Sequence, residues 1–341
     1  MKDKLQIYLI TYNRKQKLQQ TFDQIFADDS PIKNFDITIL DNASTDGTSE
    51  LIDEYCQRFA NITHIRHNVN IGGNANICRA FELATSCGKE YCWVLCDDDK
   101  YHFSNWSEVE KEIKAKKDII CVCDYTCDVF AKKSDVVYQL FQLTFVPAGI
   151  YKISNITNNV MMNMYDSIIT MMQQNCISIK CVNENKKIHV LSKPIVFNGL
   201  HFEDRVDYES LSYTRGTNEN SNLERRNNTN WALGYSQVLS LLNDKKLAKK
   251  CFIEAVADEN IYPKKSSFYY DMIDKYLNFK NINYFYEILK ILSVKNKFEI
   301  IVLALLSPFL IFYSSPKGIY VRLFGCLKTK IWSKKPKKYS L

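Results

Sequence analysis

The chain of 341 residues is long enough to bury a sizeable core as one large domain or two unequal ones, and 46% hydrophobic with 24% charged residues excludes a disordered protein. Its net charge of +7 is unevenly spread: residues 314–341 hold eight Lys or Arg and no acid, which leaves the remainder near neutral. The twelve cysteines are scattered through apolar or mixed segments with no signal peptide ahead of them, and Cys121, Cys123 and Cys127 lack a second pair and a neighbouring His, so reduced cytosolic thiols are expected in place of a disulfide framework or a zinc site.

Short apolar runs alternate with helical patterns through the first hundred residues, the βαβα order of a mostly parallel, helix-covered sheet. Strands are expected at residues 4–11, 36–41, 62–67 and 91–96. The helices between them each show one apolar face: Leu18, Phe22, Ile25 and Phe26, then Leu51, Ile52, Tyr55 and Phe59, then Ile77, Ala80, Phe81 and Ala84. Open α/β sheets collect ligands at the carboxyl ends of their strands. Each of the four strands ends there in a polar cluster: Thr11-Tyr12-Asn13-Arg14, Asp41-Asn42-Ala43-Ser44-Thr45-Asp46-Gly47-Thr48, Asn68-Val69-Asn70-Ile71-Gly72-Gly73, and Asp97-Asp98-Asp99. Any one is ordinary turn chemistry; four on one rim point to a site.

Beyond Lys100 the pattern predicts a helix over 104–116 capped by Ser104 or Ser107, a strand at 118–124, a further strand at 137–145, one or two helices within 155–174, and a hairpin of 177–182 with 188–191. Residues 217–230 are Asn-rich and read as a linker, and 231–298 as a helical region. Residues 300–316 are uncharged, fewer than the roughly 20 apolar residues of a spanning helix. With the basic run behind them, residues 299–341 read as an amphipathic, basic tail lying on an anionic membrane surface, a spanning helix and a buried core helix being the other readings of residues 300–316. The tail contains no recognisable nucleic-acid-binding module, so no nucleic-acid partner is expected.

Three consecutive carboxylates at a strand end repel one another unless solvent or a hard divalent cation relieves them, and Mg²⁺ is typically shared between one or two carboxylates and substrate phosphates. Tyr12 offers an aromatic face for a base, Asp41 an acceptor for a uracil or thymine imide, Asp99 a metal ligand, and Asp97 a second metal ligand or a ribose contact on the same side of an extended chain, with Asp98 turned away or toward the sugar.

The four clusters, in this order and spacing over residues 4 to about 100, resemble family 2 glycosyltransferases of the GT-A fold. Asn70-Ile71-Gly72-Gly73-Asn74-Ala75-Asn76-Ile77 followed by the Asp triplet is most similar to bacterial transferases of surface polysaccharides, the abequosyltransferase-like group among them. The resemblance implies an α/β GT-A nucleotide-diphospho-sugar transferase fold over residues 1–216, divided into a nucleotide-sugar-binding half (1–100) and an acceptor-side half (101–216), with a C-terminal helical appendage. It implies inverting transfer from a nucleotide-diphosphate sugar, UDP- or dTDP-linked, with Mg²⁺ or Mn²⁺. Donor contacts then fall on Thr11, Tyr12, Asn13, Arg14, Asp41, Asn42, Ser44, Asn70, Gly72, Gly73, Asn74, Asp97 and Asp98. Many members carry an Arg-Asn pair where this chain has Ile77-Cys78, and Arg79 is the candidate replacement.

Direct displacement requires a carboxylate to take the acceptor proton. The family usually supplies it from a Glu-Asp pair at the start of a helix after the triplet. Here Asp166 stands where that helix is expected, either as base or as a simple N-cap. Glu203 and Asp204 are the reserve bases, and His201, after Lys193-Pro194, is a candidate metal contact. The expected acceptor is a hydroxyl of a bacterial surface glycan precursor, free or lipid-linked, with the enzyme cytoplasmic and peripherally attached to the inner face of the cytoplasmic membrane. Two other readings stand beside it: a nucleotide-sugar-binding protein that has lost the base, and a sugar-nucleotide pyrophosphorylase, against which residues 9–17 lack the glycine of a phosphate loop.

Overall fold

The computed structural model describes residues 1–123, 135–197, 234–257, 310–315, 318–323 and 327–332. The first half follows the expected alternation: β1 (Leu5–Thr11), α1 (Lys15–Ile25), β2 (Ile37–Asp41), α2 (Thr48–Arg58), β3 (Ile62–Arg66), α3 (Gly73–Ala84) and β4 (Tyr91–Cys96). A short β5 (Lys100–Tyr101) and α4 (Trp106–Lys114) lead to β6 (Ile119–Cys121). The chain continues through α5 (Val136–Gln142), β7 (Gly149–Lys152), α6 (Asn158–Asp166), α7 (Asn175–Asn183), β8 (Ile188–Val190) and β9 (Val196–Phe197).

Seven strands form one sheet in the order β3-β2-β1-β4-β7-β6-β8. Only β7 runs against the rest, pairing antiparallel with both β4 and β6. The parallel pairing of β1 with β2 and β4, and of β2 with β3, puts the carboxyl ends of all four on one rim. Alternation along the strands feeds two cores, one on each face. Leu5, Ile7 and Leu9 of β1 join Tyr91, Trp93 and Leu95 of β4 in the core that also takes in Leu18 and Phe22 of α1 and Val109 and Ile113 of α4. Tyr8, Cys92 and Val94 face the core shared with Phe81 of α3, Leu140 of α5 and Ile177 of α7. Burying a Leu, Ile or Phe fully contributes about 1.5–3 kcal/mol, so these doubly covered central strands anchor the rim.

Two expected strands are helices. Residues 136–142 coil because Asp135 caps them, its side chain accepting the Val137 N–H, and all six side chains from Val137 to Gln142 are buried, which erases the polar–apolar period. The stretch expected as the first hairpin strand is α7, buried on nearly all sides, while β8 instead pairs parallel with β6. α4 starts at Trp106 after Asn105, so neither Ser104 nor Ser107 is its cap.

Residues 234–239 are helical, and α8 (Lys245–Ala257) follows. Tyr235, Val238, Leu239, Cys251 and Phe252 belong to the same core as α5 and α7, so this part of the expected appendage is integral to the fold. A Cβ on Gly234 would sit 2.1 Å from the Thr170 carbonyl oxygen, and only glycine allows that approach. Within the expected membrane-lying segment, Leu310–Ser315 is a strand (β10) that pairs antiparallel with β11 (Gly318–Leu323), which pairs with β12 (Leu327–Trp332). Among the described residues no helix is long and apolar enough to cross a membrane. All ten described cysteines are free thiols.

Candidate functional site

The four strand-end clusters are laced into one rim. The loop after β1 is held by the loop after β2: the Asn13 N–H donates to Ser44 Oγ (2.9 Å), Thr45 N–H to Asn13 Oδ1 (2.7 Å), Arg14 N–H to Thr48 Oγ1 (3.3 Å) and Lys15 N–H to Asp46 Oδ2 (3.1 Å). Asn13 itself takes φ 49°, a left-handed conformation Asn tolerates better than most residues. The loop after β2 is tied in turn to the loop after β3. Asn42, 1% exposed, donates from Nδ2 to Asn70 Oδ1 (2.8 Å) and accepts the Ile71 N–H on Oδ1 (2.9 Å), and Asn70 Oδ1 also accepts the Gly72 N–H (2.8 Å). Gly72, at φ 87° and ψ 149°, occupies a region essentially restricted to glycine and opens α3, whose first turn has no side-chain cap.

The fourth cluster closes the rim against the first. Thr11 Oγ1 donates to Asp97 Oδ2 (2.6 Å), and Arg14 Nη1 bridges Asp97 Oδ1 (2.8 Å) and Asp98 Oδ2 (2.7 Å). Thr21 Oγ1, on α1, donates to the Asp97 carbonyl (3.0 Å), a contact the sequence pattern did not flag. Burial holds the Asp97 carboxyl above the usual carboxylate range, and Arg14 with Thr11 offsets this only in part. Burial first, and then the charges of Asp99, Asp98 and Asp97, push the Cys96 thiol well up. Asp98 therefore turns to the same guanidinium as Asp97.

Tyr12 lies on this rim and is 42% exposed, as a stacking platform requires. Asp41 does not present a free acceptor: it is fully buried, Oδ1 accepts the Ser44 N–H (2.9 Å), and Oδ2 accepts Ser49 Oγ (2.5 Å) and faces Arg66 Nε (3.3 Å). In this state it organises the loop. Gly73 leaves open space above the N-terminus of α3, where an added Cβ would meet nothing within 4 Å, and Asn74 donates to the Ile168 carbonyl (2.7 Å).

Arg79 is not brought to the rim. It lies nearly two turns into α3, paired with Glu82 at 2.6 Å, and Tyr165 Oη donates to the same Glu82 (3.0 Å). Asp166 ends α6 and is exposed on that flank; it neither starts nor caps a helix. His201, Glu203 and Asp204 lie outside the described residues. β9 pairs with β5, with Phe197 opposite Lys100, so the last described residue before these three lies beside the triplet.

The sequence reading missed Gln173-Gln174-Asn175 at the start of α7. All three are fully buried, and Gln173 Nε2 donates to the Asn74 carbonyl (3.2 Å). Gln174 Nε2 and Asn175 Nδ2 donate to carbonyls at the end of α5 and just beyond it. Three consecutive amides in an otherwise apolar stretch were the available signal.

The all-oxygen triplet suits a hard cation by donor chemistry. Among the described residues no three His, Cys, Asp or Glu side chains converge as they do around an ion, and Arg14 stands between two of the carboxylates.

Comparison with known proteins agrees with this architecture. Residues 6–166 match the family model described as glycosyl transferase family 2. Abequosyltransferase RfbV of Salmonella typhimurium (strain LT2) is 32% identical over 119 residues, 35% of this chain and 33% of that protein, so the aligned stretch spans about a third of the relative. Mannosyltransferase PcManGT from Pyrobaculum calidifontis, solved with GDP-Man and Mn²⁺, superposes with a TM-score of 0.51 at 10% identity over 78% of this chain and 74% of its own. The S. aureus TarS 1-349 structure gives a TM-score of 0.47 at 14% identity over 97% and 99%. The domain built by residues 6–166, with its mostly parallel sheet of GT-A type, belongs to glycosyl transferase family 2.

Proposed function

We propose that the chain transfers a sugar, with inversion, from a UDP- or dTDP-linked donor to a hydroxyl of a bacterial surface glycan precursor. The observation that carries this is the rim itself: four strand-end clusters, the carboxylate triplet among them, are joined by hydrogen bonds of their side chains beside the exposed Tyr12. The abequosyltransferase relative supports transfer of a sugar.

In this reading Tyr12 stacks on the base. The N-terminus of α3 at Gly73 and Asn74, with Gly72 turning the chain into it, faces the diphosphate, since a helix start attracts anions. The acceptor oxygen attacks the anomeric carbon as the bond from that carbon to the diphosphate oxygen breaks. The acceptor proton passes to a carboxylate of this chain, and the electron pair leaves with the nucleotide diphosphate. Asp97 and Asp99, with Asp98 beside them, would hold Mg²⁺ or Mn²⁺, with His201 as a further contact, and a bound cation would supply charge stabilisation to the leaving diphosphate. The mannosyltransferase solved with GDP-Man and Mn²⁺ supports that use of a divalent ion.

Asp166, Glu203 and Asp204 remain the candidates for the base. The β5–β9 pairing favours the later pair, because Phe197 lies opposite Lys100, next to the triplet, whereas Asp166 sits on the α3–α6 flank. Peripheral attachment through the basic C-terminal run fits a lipid-linked acceptor in an anionic leaflet. Asp166→Asn, Glu203→Gln and Asp204→Asn enzymes, each still binding UDP, test the assignment: the base is the one whose loss abolishes transfer. Retained transfer in all three overturns it.

A further inference from the structure

Arg14 occupies the place where a cation would relieve the triplet. Its Nη1 sits 2.8 Å from Asp97 and 2.7 Å from Asp98, while Thr11 takes the other Asp97 oxygen. The backbone of Arg14 is fixed, because its N–H is held by Thr48 Oγ1. The side chain remains about a third exposed, so the guanidinium can swing on an anchored stem. Two cations cannot share one pair of carboxylate oxygens without strong mutual repulsion. Charge released from the carboxylates next needs an anion, and the donor of the reading above brings a diphosphate.

Resting on that reading, we propose that Arg14 is a built-in counter-cation exchanged at the triplet: a divalent ion displaces it from Asp98, and the freed guanidinium passes to the donor diphosphate. Arg14 then keeps the carboxylates neutralised before the donor arrives and holds back metal binding without nucleotide. Its effect on the metal is then opposite in sign to its effect on the nucleotide.

The test uses the full chain and Mn²⁺ alone, with free ion read by electron paramagnetic resonance and no nucleotide present. Arg14→Met keeps the stem and removes the charge. It is expected to tighten Mn²⁺ binding on the order of tenfold, the scale of removing one competing unit charge from a partly buried carboxylate site. With Mn²⁺ saturating, the same variant is expected to bind UDP more weakly than wild type. Arg14→Lys keeps a unit charge as a compact ammonium on a different stem, so a smaller tightening is expected, and it carries the test should Arg14→Met fail to fold. Unchanged or weaker Mn²⁺ binding in the variants overturns the exchange, and unchanged UDP affinity overturns the handover. Absence of Mn²⁺ binding in every form also overturns the exchange, and UDP binding in EDTA then decides separately whether the donor reading stands.

Discussion

Gln173 and Asn74, ninety-nine positions apart, are joined by a hydrogen bond from Gln173 Nε2 to the Asn74 carbonyl oxygen at 3.2 Å. Asn74 belongs to the first turn of α3 on the donor side, and Gln173 precedes α7 in the second half, so this contact fixes the width of the rim between them. Gln173→Leu should remove this second bond to a carbonyl of the α3 first turn and cost about 0.5–1.5 kcal/mol. Chemical denaturation gives the stability change, and transfer assays should show a raised donor KM as the rim loosens.

Asp41 is expected to act through the loop it organises. Its carboxylate is fully buried among Ser44, Ser49 and Arg66. Removing one partner of such a buried charged group costs about 3–5 kcal/mol, so Asp41→Ala should lower the melting temperature and weaken UDP and ADP binding alike. A selective loss of UDP affinity with unchanged stability would instead establish the direct pyrimidine contact.

Gly72 isolates a backbone effect. A methyl group there meets no neighbour within 4 Å, yet the φ of 87° and ψ of 149° lie outside what other residues adopt. Gly72→Ala is therefore expected to cost about 1–3 kcal/mol through conformation alone. Nucleotide affinity measured calorimetrically should fall with it, because the strained residue opens the helix end assigned to the diphosphate.

Glu108 gives a pH signature. Burial would raise its pKa, but hydrogen bonds from Ser192, His189 and Asn105 outweigh that and hold the carboxyl down at about 2. A depressed carboxyl contributes stability that is full above its unfolded pKa and is lost as pH falls through the folded one. The melting-temperature gap between wild type and Glu108→Gln should thus be constant at neutral pH, shrink below about 4.5 and vanish near 2. A constant gap across that range would contradict the assignment.

The nucleotide-binding half was legible because its elements keep a clean period: Leu18, Phe22 and Ile25 on α1, and Ile77, Ala80, Phe81 and Ala84 on α3, all point inward. The period failed where burial is all-round, as in α5 and in α7 with its Cys, Ile and Ser alternation, and there helix could not be told from strand by pattern. At the site, residue types were readable but partners were not. Asp41 and Arg79 carry the right chemistry, yet Ser49 and Arg66 enclose the first and Glu82 holds the second. Such pairings depend on neighbours that only the fold brings close.

The most direct measurement is nucleotide release by the purified full chain from a panel of UDP-, dTDP- and GDP-sugars with Mn²⁺. The account predicts release of UDP or dTDP from a pyrimidine donor and its loss in Asp98→Asn and Asp99→Asn variants. Failure with every sugar nucleotide, in the presence of glycan acceptors, would contradict transfer and leave donor binding alone.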